Sequence, residues 1–308
     1  MEHWDLIIIG AGPAGLAAGI YAGRSKLKTV IFEEKTPGGE AAISPLVENY
    51  PGFESISGIE LADKMTKHCK RFGARIKQLE RVLSLDLKGI KKKVRTNKDE
   101  YSATSIIAAS GTHYRILDIP GEKEFQGRGV SYCAICDGAF FKDKTVVVVG
   151  GGNSAASSAN YLSNVAAHVR LVHRKGQLRA EEAYTDVLRS NNVDFVLETE
   201  VREIKGNSIV KSVILENKKT GELREEEVDG VFIQIGEIPN STLFRKAGIE
   251  VDAGNYIIVD SKQSTNIPGV FAAGDVTNLE VKQIGTAAGQ GIVAATKAFG
   301  YIKRPYYY

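Results

Sequence analysis

At 308 residues the chain holds enough sequence for two domains of ordinary size, and 43% hydrophobic with 25% charged residues is the composition of a globular protein with buried cores. A net charge of +3, spread along the chain, argues for neither a nucleic-acid nor a membrane partner, and no apolar run reaches the roughly 18 residues needed to cross a bilayer. Three cysteines are too few for a secreted disulfide scaffold, and acids rather than a basic segment precede Leu6-Ile7-Ile8-Ile9, so no signal peptide is read and a cytoplasmic location is expected.

The first 34 residues predict a short apolar strand, the loop Gly10-Ala11-Gly12-Pro13-Ala14-Gly15, a small-residue helix to about Arg24 and a second strand at Thr29 to Phe32. The three glycines do different things. Gly10 makes the tight turn, Gly12 admits a pyrophosphate to the backbone, and Gly15 lets helix and strand pack closely. The helix start then offers free N–H groups and the positive end of its dipole to phosphate. Glu33 follows the second strand, where a carboxylate can accept hydrogen bonds from a ribose diol.

Residues 36–58 read as a long loop, followed by a helix from Ser57 or Gly58 to Phe72 that buries Leu61, Met65 and the core thiol Cys69 on one face. Residues 75–109 alternate like short strands, with Lys91 to Lys93 as a solvated hairpin tip. Next comes Cys133-Ala134-Ile135-Cys136-Asp137, a cysteine pair two residues apart backed by a carboxylate. In a reducing compartment such a pair is more often redox-active or metal-binding than structural. The metal reading is weak, since a closed zinc site needs about four ligands and neither a second pair nor a histidine cluster is present. A purely structural disulfide here closes too short a loop to stabilise much.

A shift of the sequence by 140 residues, without a gap, lays Gly10, Gly12 and Gly15 on Gly150, Gly152 and Ala155, with Val146 to Val149 on the first strand. Two nucleotide-binding units therefore lie in one chain. They differ at the end of the second strand, where Glu33 is matched by His173, followed by Arg174, Lys175 and, further on, Arg179. An acid there suits a free 2′-hydroxyl, whereas a basic cluster suits a 2′-phosphate, so the second unit is expected to prefer NADPH. Beyond it come a helix from Glu181 to about Ser190 and strands near Phe195, Val201, Ser212 and Val231. Near the end, the strand and turn Gly269 to Val276 lead into a helix from Gly285 to Phe299 rich in Gly, Ala and Thr. Its N-terminus can stabilise the negative charge of a reduced isoalloxazine.

Together, Gly10 to Gly15, Val47-Glu48-Asn49-Tyr50-Pro51-Gly52, Cys133 to Gly138, Gly150 to Ala155, His173-Arg174-Lys175 with Arg179, and Gly274-Asp275-Val276 resemble the low-molecular-weight, two-domain thioredoxin reductases of the pyridine-nucleotide-disulfide oxidoreductase class, over essentially the whole chain. The resemblance implies an α/β fold of two Rossmann-like domains, with FAD in a discontinuous domain of residues 1–114 and 243–308. An NADPH domain of residues 115–242, carrying the cysteine pair, is inserted into it. It further implies a homodimer, with no nucleic-acid or membrane partner.

Carried over by motif, the FAD contacts are Gly10, Gly12, Pro13, Ala14, Gly15, Glu33, Glu34, Gly39, Glu40, Asn49, Gly111, Gly274, Asp275, Lys282, Gln283 and Ile284. The NADPH contacts are Gly150, Gly152, Asn153, Ser154, Ala155, His173, Arg174, Lys175 and Arg179. Electrons are expected to pass from NADPH through FAD to Cys133–Cys136, and from there to thioredoxin or a glutaredoxin-like protein. Cys136 faces the flavin, Cys133 attacks the acceptor disulfide, and Asp137 exchanges the proton. Because the nicotinamide and the cysteines compete for one flavin face in that family, linkers near Thr112 to Leu117 and Glu237 to Thr242 are its expected hinges. Departures from the family pattern are Glu40 for Gln, Asn153 for Asp, Ser157-Ser158 for a pair of acids, and Lys175 and Lys282 for Arg. They keep open a flavin enzyme without nicotinamide, either a dithiol oxidase or a ferredoxin-linked reductase. A non-catalytic redox sensor is the alternative from another class.

Overall fold

A computed structural model of the protein describes residues 1–44, 46–191 and 193–303. The chain divides into two units, one of Met1–His113 with the chain from Ile238 onward, the other Tyr114–Glu237. The return to the first unit, expected at about residue 243, thus falls at Ile238, and the last residues of that expected domain, 304–308, lie outside those described.

In chain order the first unit opens with β1 (Glu2–Ile9), α1 (Pro13–Arg24), β2 (Thr29–Phe32), α2 (Gly58–Arg71), β3 (Arg75–Lys77), β4 (Val82–Asp86), β5 (Lys92–Thr96), β6 (Glu100–Ala108) and the crossing strand β7 (Thr112–Tyr114). The inserted unit holds β8 (Val130–Ser131), α3 (Ala134–Asp137), β9 (Thr145–Val149), α4 (Asn153–Ser163), β10 (His168–His173), α5 (Glu182–Ser190), β11 (Asp194–Leu197), β12 (Thr199–Gly206), β13 (Val210–Asn217), β14 (Leu223–Glu227) and β15 (Gly230–Ile233). The return runs through β16 (Glu237–Pro239), α6 (Thr242–Lys246), β17 (Val270–Ala272) and α7 (Ile284–Lys303).

The first unit is built on a mixed sheet in the order β3-β2-β1-β6-β5-β4, with β17 added parallel to the far half of β6. Leu6, Ile7, Ile8 and Ile9 are all buried, as a parallel strand covered on both faces requires. One face packs under α1, α2 and α7 through Leu16, Leu61, Met65, Ala294 and Ala298, the other around Trp4, Phe32, Tyr101 and Phe244. Helices α1 and α7 approach so closely that a Cβ on Gly291 would stand 2.1 Å from the Ala14 carbonyl oxygen.

The inserted unit repeats this plan. Its parallel sheet runs β11-β10-β9-β15-β8. The pairs Leu6 with Thr29 and Ile9 with Phe32 in β1–β2 recur as Val146 with Val169 and Val149 with Val172 in β9–β10. The turns recur too: Gly10 N donates to Phe32 O at 2.9 Å, and Gly150 N to Val172 O at 3.0 Å. A separate antiparallel sheet, β12-β13-β14, covers one side of this unit.

Three details differ from the sequence reading. Strand β14 reads Leu-Arg-Glu-Glu-Glu and gave no apolar signal; it is an edge strand whose charges find ion partners, Lys205 on Glu225 at 3.1 Å and Arg170 on Glu226 at 3.2 Å. Within the basic run, Lys92 is not solvated: it is 3% exposed and its Nζ donates to Gly89 O, while Lys91 and Lys93 do face water. The loop between Thr36 and Gly58 contains a short 3-10 helix at Gly39–Ile43.

Candidate active site

In the first unit the glycine loop is fixed by close backbone contact. Gly10 has φ +106°, and a Cβ there would meet Ala109 O at 2.2 Å; at Gly15 it would meet Gly10 O at 1.9 Å. Gly12, in contrast, has nothing within 4 Å of its Cβ position. It caps α1 with no side-chain acceptor, Pro13 takes the first helical position, and the first turn holds no acid, so the helix N–H groups are left for an anion.

Other expected contacts gather around this turn. Gly38 N donates to Ala11 O at 2.8 Å, and a Cβ on Gly39 would lie 3.2 Å from Gly12 Cα. Gly274, at φ +80°, leaves only 2.9 Å between its Cβ position and Ala14 Cβ, which brings the Gly274-Asp275 turn to the start of α1. Asn49 Nδ2 donates to Gln283 Oε1 at 3.1 Å, joining two more expected contacts, and Ile284 opens α7 beside them. Gly111 takes the left-handed conformation at φ +64°, and its carbonyl accepts from Asn240 N. Glu40 is exposed within the 3-10 helix.

Three expectations change in detail. The carboxylate of Glu33 is turned back onto the loop, accepting from Ala11 N and Lys35 N at 2.8 Å each; its remaining lone pairs are the ones available to a ribose. Glu34 faces Arg81 at 3.6 Å on the surface. The Nζ of Lys282 donates to the carbonyls of Asp275, Thr277 and Leu279 at 2.8–3.0 Å and lies over the Tyr256 ring, so this lysine shapes the turn after Asp275. Sequence reasoning missed Gln290, whose Oε1 accepts from Gly274 N at 2.6 Å. Its signal was a polar side chain in the small-residue half of α7.

The second loop has the same construction. Gly150 has φ +156°, Gly152 caps α4 with no side-chain acceptor and open space at its Cβ, and Asn153, Ser154 and Ala155 form the first turn, which holds no acid. Here His173 departs from expectation. It is 7% exposed, its ring packs under Gly151, and its Nε2 has no hydrogen-bond partner among the described residues. Burial and the neighbouring Arg179, Arg174 and Lys175 push its pKa down, so it is neutral near pH 7 and the cationic surface consists of the exposed Arg174, Lys175 and Arg179.

The cysteines lie at the one-turn helix α3. Cys133 and Cys136 are disulfide-bonded with Cα atoms 5.3 Å apart. Cys133 is the cap of that turn, and its Sγ accepts from Cys136 N at 3.2 Å. Asp137 N donates to Cys133 O at 3.1 Å, and Asp137 Oδ2 accepts from Ser131 Oγ at 2.6 Å. Ser131 Oγ in turn accepts from Cys133 N at 3.0 Å, so one hydroxyl ties carboxylate to cysteine, a role the sequence did not disclose. Burial raises the Asp137 pKa and the Ser131 hydrogen bond opposes it.

The third cysteine stands apart. Cys69 is fully buried and burial pushes its thiol up to about 12. After mild chemical reduction of the native protein, thiol titration is expected to find about two reactive groups per chain and a third only in denaturant. Three thiols reacting in the native state would contradict this assignment. Among the described residues no group of His, Cys, Asp or Glu is placed to hold a metal, and no helix is long and apolar enough to cross a membrane.

The residues fit two dinucleotides: two uncapped helix starts over open glycines, an acid at the first ribose position, and three exposed cations at the second. A family model described as pyridine nucleotide-disulphide oxidoreductase matches residues 4–291. The chain belongs to that family. Among relatives of this oxidoreductase, a thioredoxin reductase of Bacillus subtilis is 45% identical over 302 residues, covering 97% of this chain and 95% of the relative. Among solved structures, thioredoxin reductase from Streptococcus pyogenes is 42% identical, covers 98% of both chains and has a TM-score of 0.94. A ferredoxin-flavin thioredoxin reductase from Clostridium acetobutylicum is 35% identical, covers 98% of this oxidoreductase and 99% of its own chain, and has a TM-score of 0.53. Members of the family join a flavin, a pyridine nucleotide and a disulfide, and this oxidoreductase carries the disulfide at Cys133–Cys136.

Proposed function

We propose that this enzyme is a thioredoxin-disulfide reductase that takes electrons from NADPH through FAD and delivers them by way of Cys133 and Cys136. The observation that carries the reading is the disulfide itself, set in the inserted unit beside a half-buried carboxylate and ahead of a second nucleotide loop. Held at the Gly10–Gly15 and Gly150–Ala155 turns, FAD and NADPH would supply the two electrons needed to reduce the Cys133–Cys136 disulfide.

The chain's own groups do the rest. Once the pair is reduced, Cys133 is the attacking thiolate, the role the resemblance gives it. Its Sγ attacks one sulfur of the thioredoxin disulfide, a mixed disulfide forms, and the other sulfur leaves as thiolate and takes its proton from Asp137. Cys136, giving its proton to the now ionised Asp137, then attacks Cys133 Sγ; the second sulfur of thioredoxin leaves as thiolate and takes that proton, and the starting disulfide is restored. The resemblance favours a homodimer, and a cytoplasmic setting agrees with a pair that must cycle between dithiol and disulfide.

Asp137 sets the pH dependence. A raised pKa keeps it protonated to higher pH than an ordinary carboxyl, and the proton is lost as pH rises through that value. Thioredoxin reduction is therefore expected to fall on the alkaline side of its profile. Asp137→Asn is expected to lower the rate about 100-fold and to remove that fall, leaving a rate that climbs with the thiolate fraction. A profile with the same alkaline limb in the variant would show that another group supplies the proton.

The donor is tested by anaerobic stopped-flow mixing of the flavin-loaded enzyme with NADPH, NADH or reduced ferredoxin, followed by oxidised thioredoxin. NADPH is expected to bleach the flavin fastest and thioredoxin to restore its colour. The likeness to the ferredoxin-flavin enzyme and the neutral Asn153 make ferredoxin the other donor to try. Bleaching by ferredoxin alone would replace the donor in this reading and leave the cysteine chemistry standing.

A further inference from the structure

The cationic segment of the second nucleotide unit is bolted to its glycine loop at one place. Gly151 O accepts from both Arg179 N, at 2.6 Å, and Ala180 N, at 3.0 Å. Two residues further along on each side of this contact, Asn153 and Glu181 exchange hydrogen bonds in both directions: Asn153 Nδ2 donates to Glu181 Oε1 at 2.9 Å, and Glu181 N donates to Asn153 Oδ1 at 3.0 Å. Neither side chain serves its own helix. Glu181 stands at the cap of α5, yet its carboxylate makes no capping bond there, and Asn153 opens α4 behind Gly152. Beneath them the buried His173 ring fills the space under Gly151, where a Cβ would stand only 2.3–2.6 Å from the ring atoms.

We infer that the Asn153–Glu181 pair is a positioning element for nucleotide choice, holding the segment that carries Arg174, Lys175 and Arg179 in register with the Gly150–Gly152 turn. The reading rests on NADPH as the ligand of this unit. One molecule must place its pyrophosphate on the α4 start and its 2′-phosphate on the cations at the same moment. The cations stand on an exposed stretch between β10 and α5, and they discriminate only if that stretch is fixed before binding. The donor and acceptor pattern explains the residue types. Asn153 must present both N–H and C=O to meet a carboxylate side chain and a backbone N–H; aspartate at 153 meets the backbone but repels Glu181. Aspartate with glutamine at 181 restores both bonds with the polarity of one reversed.

The test uses the flavin-loaded protein and calorimetric binding of NADP⁺ and NAD⁺, together with amide hydrogen exchange of Arg179 and Ala180 in the nucleotide-free protein. Asn153→Asp is expected to reduce the NADP⁺ to NAD⁺ affinity ratio about fivefold, the scale of losing one hydrogen bond, and to speed exchange at both amides. Adding Glu181→Gln to Asn153→Asp is expected to return the ratio and the exchange rates toward wild type. The ratio separates this effect from the extra negative charge beside the pyrophosphate, which weakens both nucleotides alike. If Asn153→Asp leaves the ratio unchanged, or Glu181→Gln fails to restore a lowered one, the pair does not position the cations. A wild-type protein with no preference for NADP⁺ would instead overturn the NADPH reading on which the inference stands.

Discussion

Replacing Cys136 by serine is expected to leave NADPH reduction of the flavin intact while lowering thioredoxin reduction by roughly a thousandfold or more, the scale of removing a covalent group. The serine hydroxyl cannot form the Cys133–Cys136 bond, so electrons that reach the flavin have no exit to a protein disulfide. Nor can it attack the mixed disulfide, so Cys133 is expected to trap thioredoxin as a covalent complex visible without reductant. Cys133→Ser is expected to abolish turnover as well, but without that complex, because the group that attacks thioredoxin is then the one removed. Stopped-flow absorbance and non-reducing electrophoresis read the two effects separately. A Cys136→Ser enzyme that still turns over thioredoxin would remove the pair from the electron path, and a trapped complex on Cys136 in the Cys133→Ser variant would exchange their roles.

The second large effect lies at the first glycine loop, where two neighbouring glycines, Gly12 and Gly15, do opposite work. Gly15→Ala drives a methyl onto the Gly10 carbonyl at 1.9 Å, a clash of backbone on backbone with no flexible side chain to yield. It is expected to cost about 3 kcal/mol of stability and most of the bound flavin, because α1 must lift from β1. Gly12→Ala places its methyl in open space at φ −74°, an ordinary conformation for any residue. That variant is expected to keep its melting temperature without flavin and to bind flavin poorly, since the methyl fills the room a phosphate needs. Melting of the flavin-free proteins and flavin content per chain decide the matter. Equal behaviour of the two variants would contradict the division of labour between close packing and ligand access.

Much of this was legible in the sequence, and the reason is local. The 140-residue repeat foretold a repeated strand register because a glycine turn and an apolar strand constrain the residues next to them, and Ile9 with Phe32 recurs as Val149 with Val172. The cap at Ser57, which accepts from Glu60 N, could likewise be read from its residue type. What was illegible depends on contacts that exist only in the folded backbone. A parallel strand buried on both faces shows no alternation, so nothing in His-Val-Arg-Leu-Val-His signals that His173 turns under Gly151. The direction of Lys282 is set by three carbonyls of a folded turn, and that of Glu33 by the Ala11 amide 22 residues earlier. Gln290 and Ser131 escaped for the same reason: Gln290 accepts from Gly274 N, and Ser131 links Cys133 N to Asp137 Oδ2, through bonds that exist only once the backbone has folded.

Whether a flavin and the Cys133–Cys136 disulfide form one electron path is tested most directly by anaerobic titration of the flavin-loaded protein with NADPH. Wild type is expected to take up about two equivalents per chain, one for the flavin and one for the disulfide, and Cys136→Ser about one. A wild-type protein that saturates at one equivalent, with its disulfide still intact, would contradict that path.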